Sequence, residues 1–190
     1  MVALGCDRIR AKNTTYGTLY GAGPFRLSQL LTTAGFPTSI PSARALQTRF
    51  FSLYPDLAAW RSQVIRQGAS YRFIRNVFGR RRWFHSCYIS PSGDVEGAEI
   101  PEMYDYLPQS TAADIMWAGL RPVDSAIRQC GGNLLAQIHD SFLCELPPGA
   151  KPRGIIDAMQ TEFPQIAPGF RVPVAAKSGP NWGEMTPWTT

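Results

Sequence analysis

The spacing of apolar positions changes several times along the 190 residues, and each change predicts an element. Between residues 8 and 21, Arg8, Lys12, Tyr16 and Tyr20 recur at every fourth position. Four helical residues advance by about 40° around the axis, so these side chains share one broad face, and Gly21 gives the helix a place to end. After the stop at 21–24, Phe25, Leu27, Leu30, Leu31 and Ala34 again keep helical spacing. Residues 42–66 read as a longer amphipathic stretch interrupted at Pro55, with Leu46, Phe50, Leu53, Leu57 and Trp60 on its core side. Over 68–84 the period shortens, and Tyr71, Phe73 and Val77 suggest strand before a turn at Gly79.

Residues 90–94 are a loop by composition. Ser110 or Thr111 can cap a helix whose apolar side is Ile115, Leu120, Val123 and Ile127, with a kink expected at Pro122. Two short apolar runs, 134–138 and 142–146, flank His139, Asp140 and Ser141, which predicts a β-hairpin with a polar tip. A helix is expected over 152–163, burying Ile155, Ile156 and Met159.

With 44% hydrophobic and 17% charged residues the chain is of folded, globular composition, long enough for one core or two small lobes. The net charge of +5 is clustered at 8–12 and 72–82, which suits either a polyanion or a solvated basic face. Cys6, Cys87, Cys130 and Cys144 form no CxxC pair, so neither a zinc site nor a disulfide framework is indicated; Cys144 reads as core, and a reducing compartment fits. No apolar run is long enough to span a bilayer, and residues 1–6 are too short for a signal core, so a cytoplasmic protein is expected.

A guanidinium and an ammonium on successive helical turns can clamp a triphosphate, with the two tyrosine rings at the level of a sugar or base. Basic residues at spacing four also occur on ordinary solvated helices. The full pattern Arg-x3-Lys-x3-Tyr-Gly-x2-Tyr-Gly, however, resembles motif B, the fingers helix of family A DNA polymerases of the DNA polymerase I type. Tyr16 stands where phage replicative and mitochondrial members have tyrosine and many bacterial ones phenylalanine. The resemblance implies that Arg8 and Lys12 bind the incoming deoxynucleoside triphosphate, Lys12 serving catalysis as well, that Tyr16 packs on its sugar and base, and that Tyr20 lies near the templating base.

Further segments resemble the same family in the same order. Gly79-Arg80-Arg81-Arg82-Trp83 resembles the arginine-rich element near the end of the fingers, which implies either that Arg80 and Arg81 would contact the primer-template or that the run would tie fingers to palm through carboxylates. Residues 106–116 resemble the family's Q-helix motif, in which Gln109 would hydrogen-bond the minor groove of the primer-template. His139 and Asp140 resemble palm motif C, implying a primer contact and a magnesium ligand. Val172-Pro173-Val174 and residues 179–184 resemble the family's ending, a final strand and turn with Trp182 packed as core.

Three features depart from the pattern. Pro101 and Asp105 stand where many members have Arg and Asn, and Ser141 stands where family A usually has Glu and single-subunit RNA polymerases have Ser. The family's second metal-binding aspartate, in motif A just upstream of the fingers helix, has no counterpart in these residues.

The expected fold is α+β, with helical fingers over 1–95 and the C-terminal half of a right-hand palm, containing an antiparallel hairpin, over 96–190. The expected activity is DNA-directed DNA polymerisation by a two-metal mechanism. Its implied partners are DNA primer-template, dNTPs, two Mg²⁺ ions and a complementary subunit carrying motif A, the palm's N-terminal half and the thumb. The expected setting is the cytoplasm, that of a phage-infected bacterial cell included. The alternatives are a noncatalytic, polymerase-derived accessory protein that binds nucleic acid and a fragment of a single-subunit RNA polymerase.

Overall fold

Asp7 starts the first helix: its Oδ1 accepts hydrogen bonds from the backbone N–H groups of Ile9 and Arg10, both at 2.9 Å. An N-terminal carboxylate satisfies orphan donors and suits the helix dipole, which sets α1 (Arg8–Leu19) to begin at the first motif arginine. The computed structural model describes residues 7–188; Cys6 and the short N-terminal apolar run lie outside them. The described residues fall into two compact units that divide between Gln109 and Ser110.

In the first unit α1 is followed by α2 (Pro24–Thr33), α3 (Ile40–Leu53) and α4 (Pro55–Tyr71). Leu27, Leu31 and Ala43 make one small core, joined by Phe36 and Leu46, while Ala11 and Phe50 make another with Leu19, Phe51 and Leu57. The inner side of α1 is built from small residues, Ala11, Thr14, Gly17 and Thr18, all buried. A Cβ on Gly17 would lie 3.1 Å from Leu27 Cδ1, so glycine lets α2 approach closely. Phe25 and Leu53, expected on apolar faces, point to solvent.

Pro55 separates α3 from α4 as expected and occupies the first turn of α4, where its missing N–H costs nothing. The helix then continues to Tyr71, past residue 66 where it was expected to end. Gly68 does not break it: a Cβ there would sit 2.8 Å from Met103 Sδ and 3.0 Å from Ile74 Cδ1, so this glycine serves packing. Arg72, with φ of 63°, ends α4 in the left-handed region and turns the chain into strand.

β1 (Phe73–Arg75) pairs antiparallel with β2 (Arg81–Trp83), and β3 (Tyr88–Ile89) with β4 (Val95–Glu96). Helix α5 (Ile100–Gln129) begins ten residues before the expected cap, with Pro101 and Glu102 in its first turn, so Ser110 and Thr111 are interior residues. It continues past Pro122. Its start gives Met103 and Tyr104 to a core with Val64, Ile74, Phe84 and Cys87.

In the second unit Val123 and Ile127 of α5 pack with Ile155 of α6 (Arg153–Met159) and with Leu134, Phe142 and Cys144 of the hairpin β5 (Asn133–Ile138) and β6 (Ser141–Glu145). Burial pushes the Cys144 thiol above its usual range, in keeping with a core role. Helix α6 closes at Gln160, short of residue 163. The C-terminal segment forms β7 (Lys177–Ser178), a 3-10 turn at Trp182–Glu184 and β8 (Thr186–Pro187). Residues 172–174 form no strand, and Trp182 is 65% exposed rather than packed, since a two-stranded ribbon with a one-turn helix has too little surface to enclose an indole.

The α+β class expected from the sequence is the class observed: six helices and four separate two-stranded antiparallel sheets among the described residues. No described helix is long and apolar enough to cross a membrane.

Candidate functional site

Because the small inner residues of α1 are buried, its outer face is presented to solvent, with Arg8, Lys12, Tyr16 and Tyr20 all exposed. Lys12 Nζ lies 5.8 Å from the centroid of the Tyr16 ring, and the Tyr16 and Tyr20 rings stack at 6.0 Å and 16°. Two cations therefore occupy the N-terminal turns and an aromatic pair the C-terminal end. Phosphate oxygens suit the first and a flat base or sugar the second.

Beside the aromatic pair lies a cavity of about 530 Å³, lined by Tyr16, Gly17 and Tyr20 of α1 together with Asn13, Arg26 and Leu30 among others. A volume of this order takes a nucleoside-sized group. Asn13 and Arg26 were not read from the sequence as site residues. The Asn13 signal was available, one residue past Lys12, whereas Arg26 reaches the cavity through the α1–α2 turn, which spacing along a single helix does not reveal.

Glycine and tyrosine hold the end of α1 in place. Gly21 has φ of 76°, and a Cβ on it would collide with Tyr104 Oη and approach Pro101 Cβ to 3.0 Å. Tyr104 is itself fixed: its hydroxyl oxygen accepts from Arg61 Nη2 at 2.8 Å, and the same guanidinium lies 4.1 Å over its ring. Pro101, which departs from the family pattern, thus serves as a small packing residue beside Gly21. Just beyond, Gln109 Nε2 donates to Tyr20 Oη at 2.8 Å. Two residues expected at the primer-template are brought into direct contact with each other.

The β1–β2 ribbon presents the arginine run. Arg82 pairs with Glu102 and lies 5.2 Å over the Phe84 ring, so this member of the run is tied down by a carboxylate. Arg80 and Arg81 are exposed, the latter 5.2 Å from the Phe73 ring centroid, and Tyr106 Oη donates to the Arg80 carbonyl at 2.9 Å.

Asp105 is a half-buried acid of this unit. Its Oδ1 is buried with no hydrogen-bond partner among the described residues, and burial pushes its carboxyl above the ordinary range, with Arg82 pulling it down and Glu102 adding to the rise. An acid whose pKa rises on folding keeps a proton that the unfolded chain has released. Ionising it costs stability as pH climbs from the ordinary aspartate value of about 3.9 through the higher folded value. Asp105→Asn is therefore expected to raise the urea midpoint at pH 7, with the difference from wild type closing as the pH is lowered towards 4. Equal midpoints at pH 7 would show that burial does not disfavour the carboxylate.

In the second unit the β5–β6 hairpin places His139 and Asp140 at its two-residue turn, both exposed. His139 has φ of 53°, an uncommon conformation for a side-chain-bearing residue, costing about 1–2 kcal/mol. Ser141 is not at the tip: it opens β6, pairs with Ile138 and donates its hydroxyl to the Ile138 carbonyl at 2.8 Å. Serine therefore closes the turn locally. Among the described residues no group of three or more His, Cys, Asp or Glu could hold a metal, and Asp140 stands as a single exposed carboxylate.

The comparisons with known proteins agree with one another. The sequence model described as DNA polymerase family A matches residues 5–184. The thermostable DNA polymerase I of Thermus caldophilus is 31% identical over 181 residues, covering 92% of this chain and 20% of the relative. DNA polymerase I of Chloroflexus aurantiacus is 30% identical over 184 residues, covering 93% of this chain and 18% of the relative. Among solved structures, the POL domain of Pol1 from M. smegmatis, in complex with DNA primer-template and dNTP, superposes with a TM-score of 0.62 at 25% identity, over 80% of this chain and 27% of that one. The chain thus spans about a fifth of the length of the curated relatives it matches.

Proposed function

Because this chain belongs to DNA polymerase family A, we propose that it is the fingers and C-terminal palm portion of a template-directed DNA polymerase, with the boundary between them near residue 95. The observation that carries this reading is the outer face of α1, where two cations with no carboxylate partner among the described residues precede a stacked tyrosine pair that borders a nucleoside-sized cavity. Arg8 and Lys12 hold the triphosphate, Tyr16 packs on the sugar and base, and Tyr20 lies by the templating base. Lys12 also neutralises charge that grows on the phosphates during transfer.

Gln109 reads the minor groove of the primer-template, His139 meets the primer end, and Arg80 and Arg81 contact template phosphates. The Gln109–Tyr20 hydrogen bond has to be exchanged when either side chain engages DNA, so the pair couples the end of α1 to the primer-template.

Asp140 fits as one ligand of a divalent cation, since Mg²⁺ takes carboxylate oxygens together with nucleotide phosphates. The remaining protein ligands, including a second carboxylate, come from polypeptide outside these 190 residues that also supplies the rest of the palm and the thumb, as a separate subunit or joined to this chain. Mg²⁺, when bound, would activate the primer hydroxyl and steady the leaving pyrophosphate.

Extension of a labelled primer with Mg²⁺, with this chain alone and with the complementary polypeptide, tests the proposal. Extension only in the joined reaction, with deoxyribonucleotides preferred, is the expected result. Full extension by this chain alone would contradict the shared metal site, and a preference for ribonucleotides would move the chain to the RNA polymerases, the reading that Ser141 suggests.

A further inference from the structure

The register of the β1–β2 ribbon sorts its side chains onto two faces. Ile74 and Arg82 point inward, one buried in the core and the other paired with Glu102. Phe73, Arg75, Arg81 and Trp83 share the outer face. Outside, the rings form a chain: Tyr71 to Phe73 at 6.4 Å and 48°, then Phe73 to Trp83 at 5.1 Å and 57°. Tyr71 is 65% and Trp83 53% exposed, so most of both rings is left free for another molecule.

Arg75 and Arg81 stand directly opposite each other across the ladder. Like charges in that position repel, and neither pairs with a carboxylate among the described residues. An anion between them would turn the repulsion into binding. Alternating rings and unpaired guanidinium groups match single-stranded nucleic acid, whose bases have free π faces and whose phosphates release counterions when neutralised. A duplex offers phosphates but no free base faces to the rings. An apolar protein surface would cover the rings but bury two unpaired cations, at high cost.

We propose that this face holds the single-stranded stretch of template, with bases stacked on Trp83 and Tyr71 and phosphates held by Arg75 and Arg81. The word template rests on the polymerase reading; the binding of single-stranded DNA does not. The test has two arms. Fluorescence anisotropy with labelled oligo-dT and with a blunt duplex of equal length should show the single strand bound more tightly by the 190-residue chain. Trp83→Ala should weaken single-strand binding by roughly tenfold while Trp83→Phe retains most of it, and Arg75→Gln should flatten the salt dependence by about one phosphate contact. In the completed polymerase, Trp83→Ala should lower affinity for a primer-template with a ten-nucleotide overhang and leave a one-nucleotide overhang unchanged.

Equal binding of single strand and duplex, or an unchanged affinity in Trp83→Ala, would overturn the proposal. So would an overhang effect that is absent in the completed enzyme, because another part of the polymerase would then cover this face. Single-strand binding that depends on Trp83 in a protein that never incorporates a nucleotide would instead sink the polymerase reading and leave this surface standing.

Discussion

Asp140→Ala is expected to abolish primer extension by the completed enzyme, with a loss on the order of a thousandfold or more in the single-turnover rate. The side chain is exposed at the hairpin tip and makes no hydrogen bond among the described residues. What holds the turn is backbone pairing of Ile138 with Ser141 and the Ser141 hydroxyl on the Ile138 carbonyl. Alanine at 140 should therefore leave the hairpin, the assembly and DNA affinity intact while removing a negative oxygen donor from the metal centre. Asp140→Asn should fail nearly as badly, because it keeps the shape and loses the charge. A rate within tenfold of wild type for either variant would remove the metal role.

Lys12→Ala is expected to raise the nucleotide KM by roughly 10- to 100-fold, the range for losing a charge-assisted hydrogen bond to a phosphate, with a further fall in kcat if charge builds on the phosphates in the transition state. The ammonium has no carboxylate partner among the described residues and lies 5.8 Å from the centroid of the Tyr16 ring. Its removal should therefore cost the fold little. Lys12→Arg should recover part of the affinity, since it restores charge but presents a planar fork in place of a compact ammonium. Titration of a fluorescent deoxynucleoside triphosphate into the chain separates binding from chemistry, and an unchanged dissociation constant would place the triphosphate elsewhere.

Much of the candidate site was legible because its signals are local. Arg8, Lys12, Tyr16 and Tyr20 need only the helical period to share a face, and His139 with Asp140 need only two apolar runs around a polar tip. The element boundaries that differed depended on contacts between distant residues. The period shortens from residue 68, yet Gly68 lies inside α4, where Met103 and Ile74 occupy the space a side chain would need. Ser110 and Thr111 read as caps, yet the true start of α5 is at Ile100, where Pro101 and Glu102 give an equally good first turn. Trp182 was expected as core from the resemblance of its segment to the family's ending, and nothing in a single sequence says how much surface will surround it. The hydrogen bond between Tyr20 and Gln109 joins residues far apart in the chain, so neither motif by itself could reveal it.

The central claim is that the outer face of α1 holds the triphosphate of the incoming nucleotide. A deoxynucleoside triphosphate carrying a photoreactive aryl azide on its terminal phosphate can be irradiated with the protein and the adduct mapped by mass spectrometry. The claim predicts an adduct within residues 8–20 that excess unlabelled dNTP suppresses and Lys12→Ala diminishes; a suppressible adduct confined to other segments, with α1 unlabelled, would contradict it.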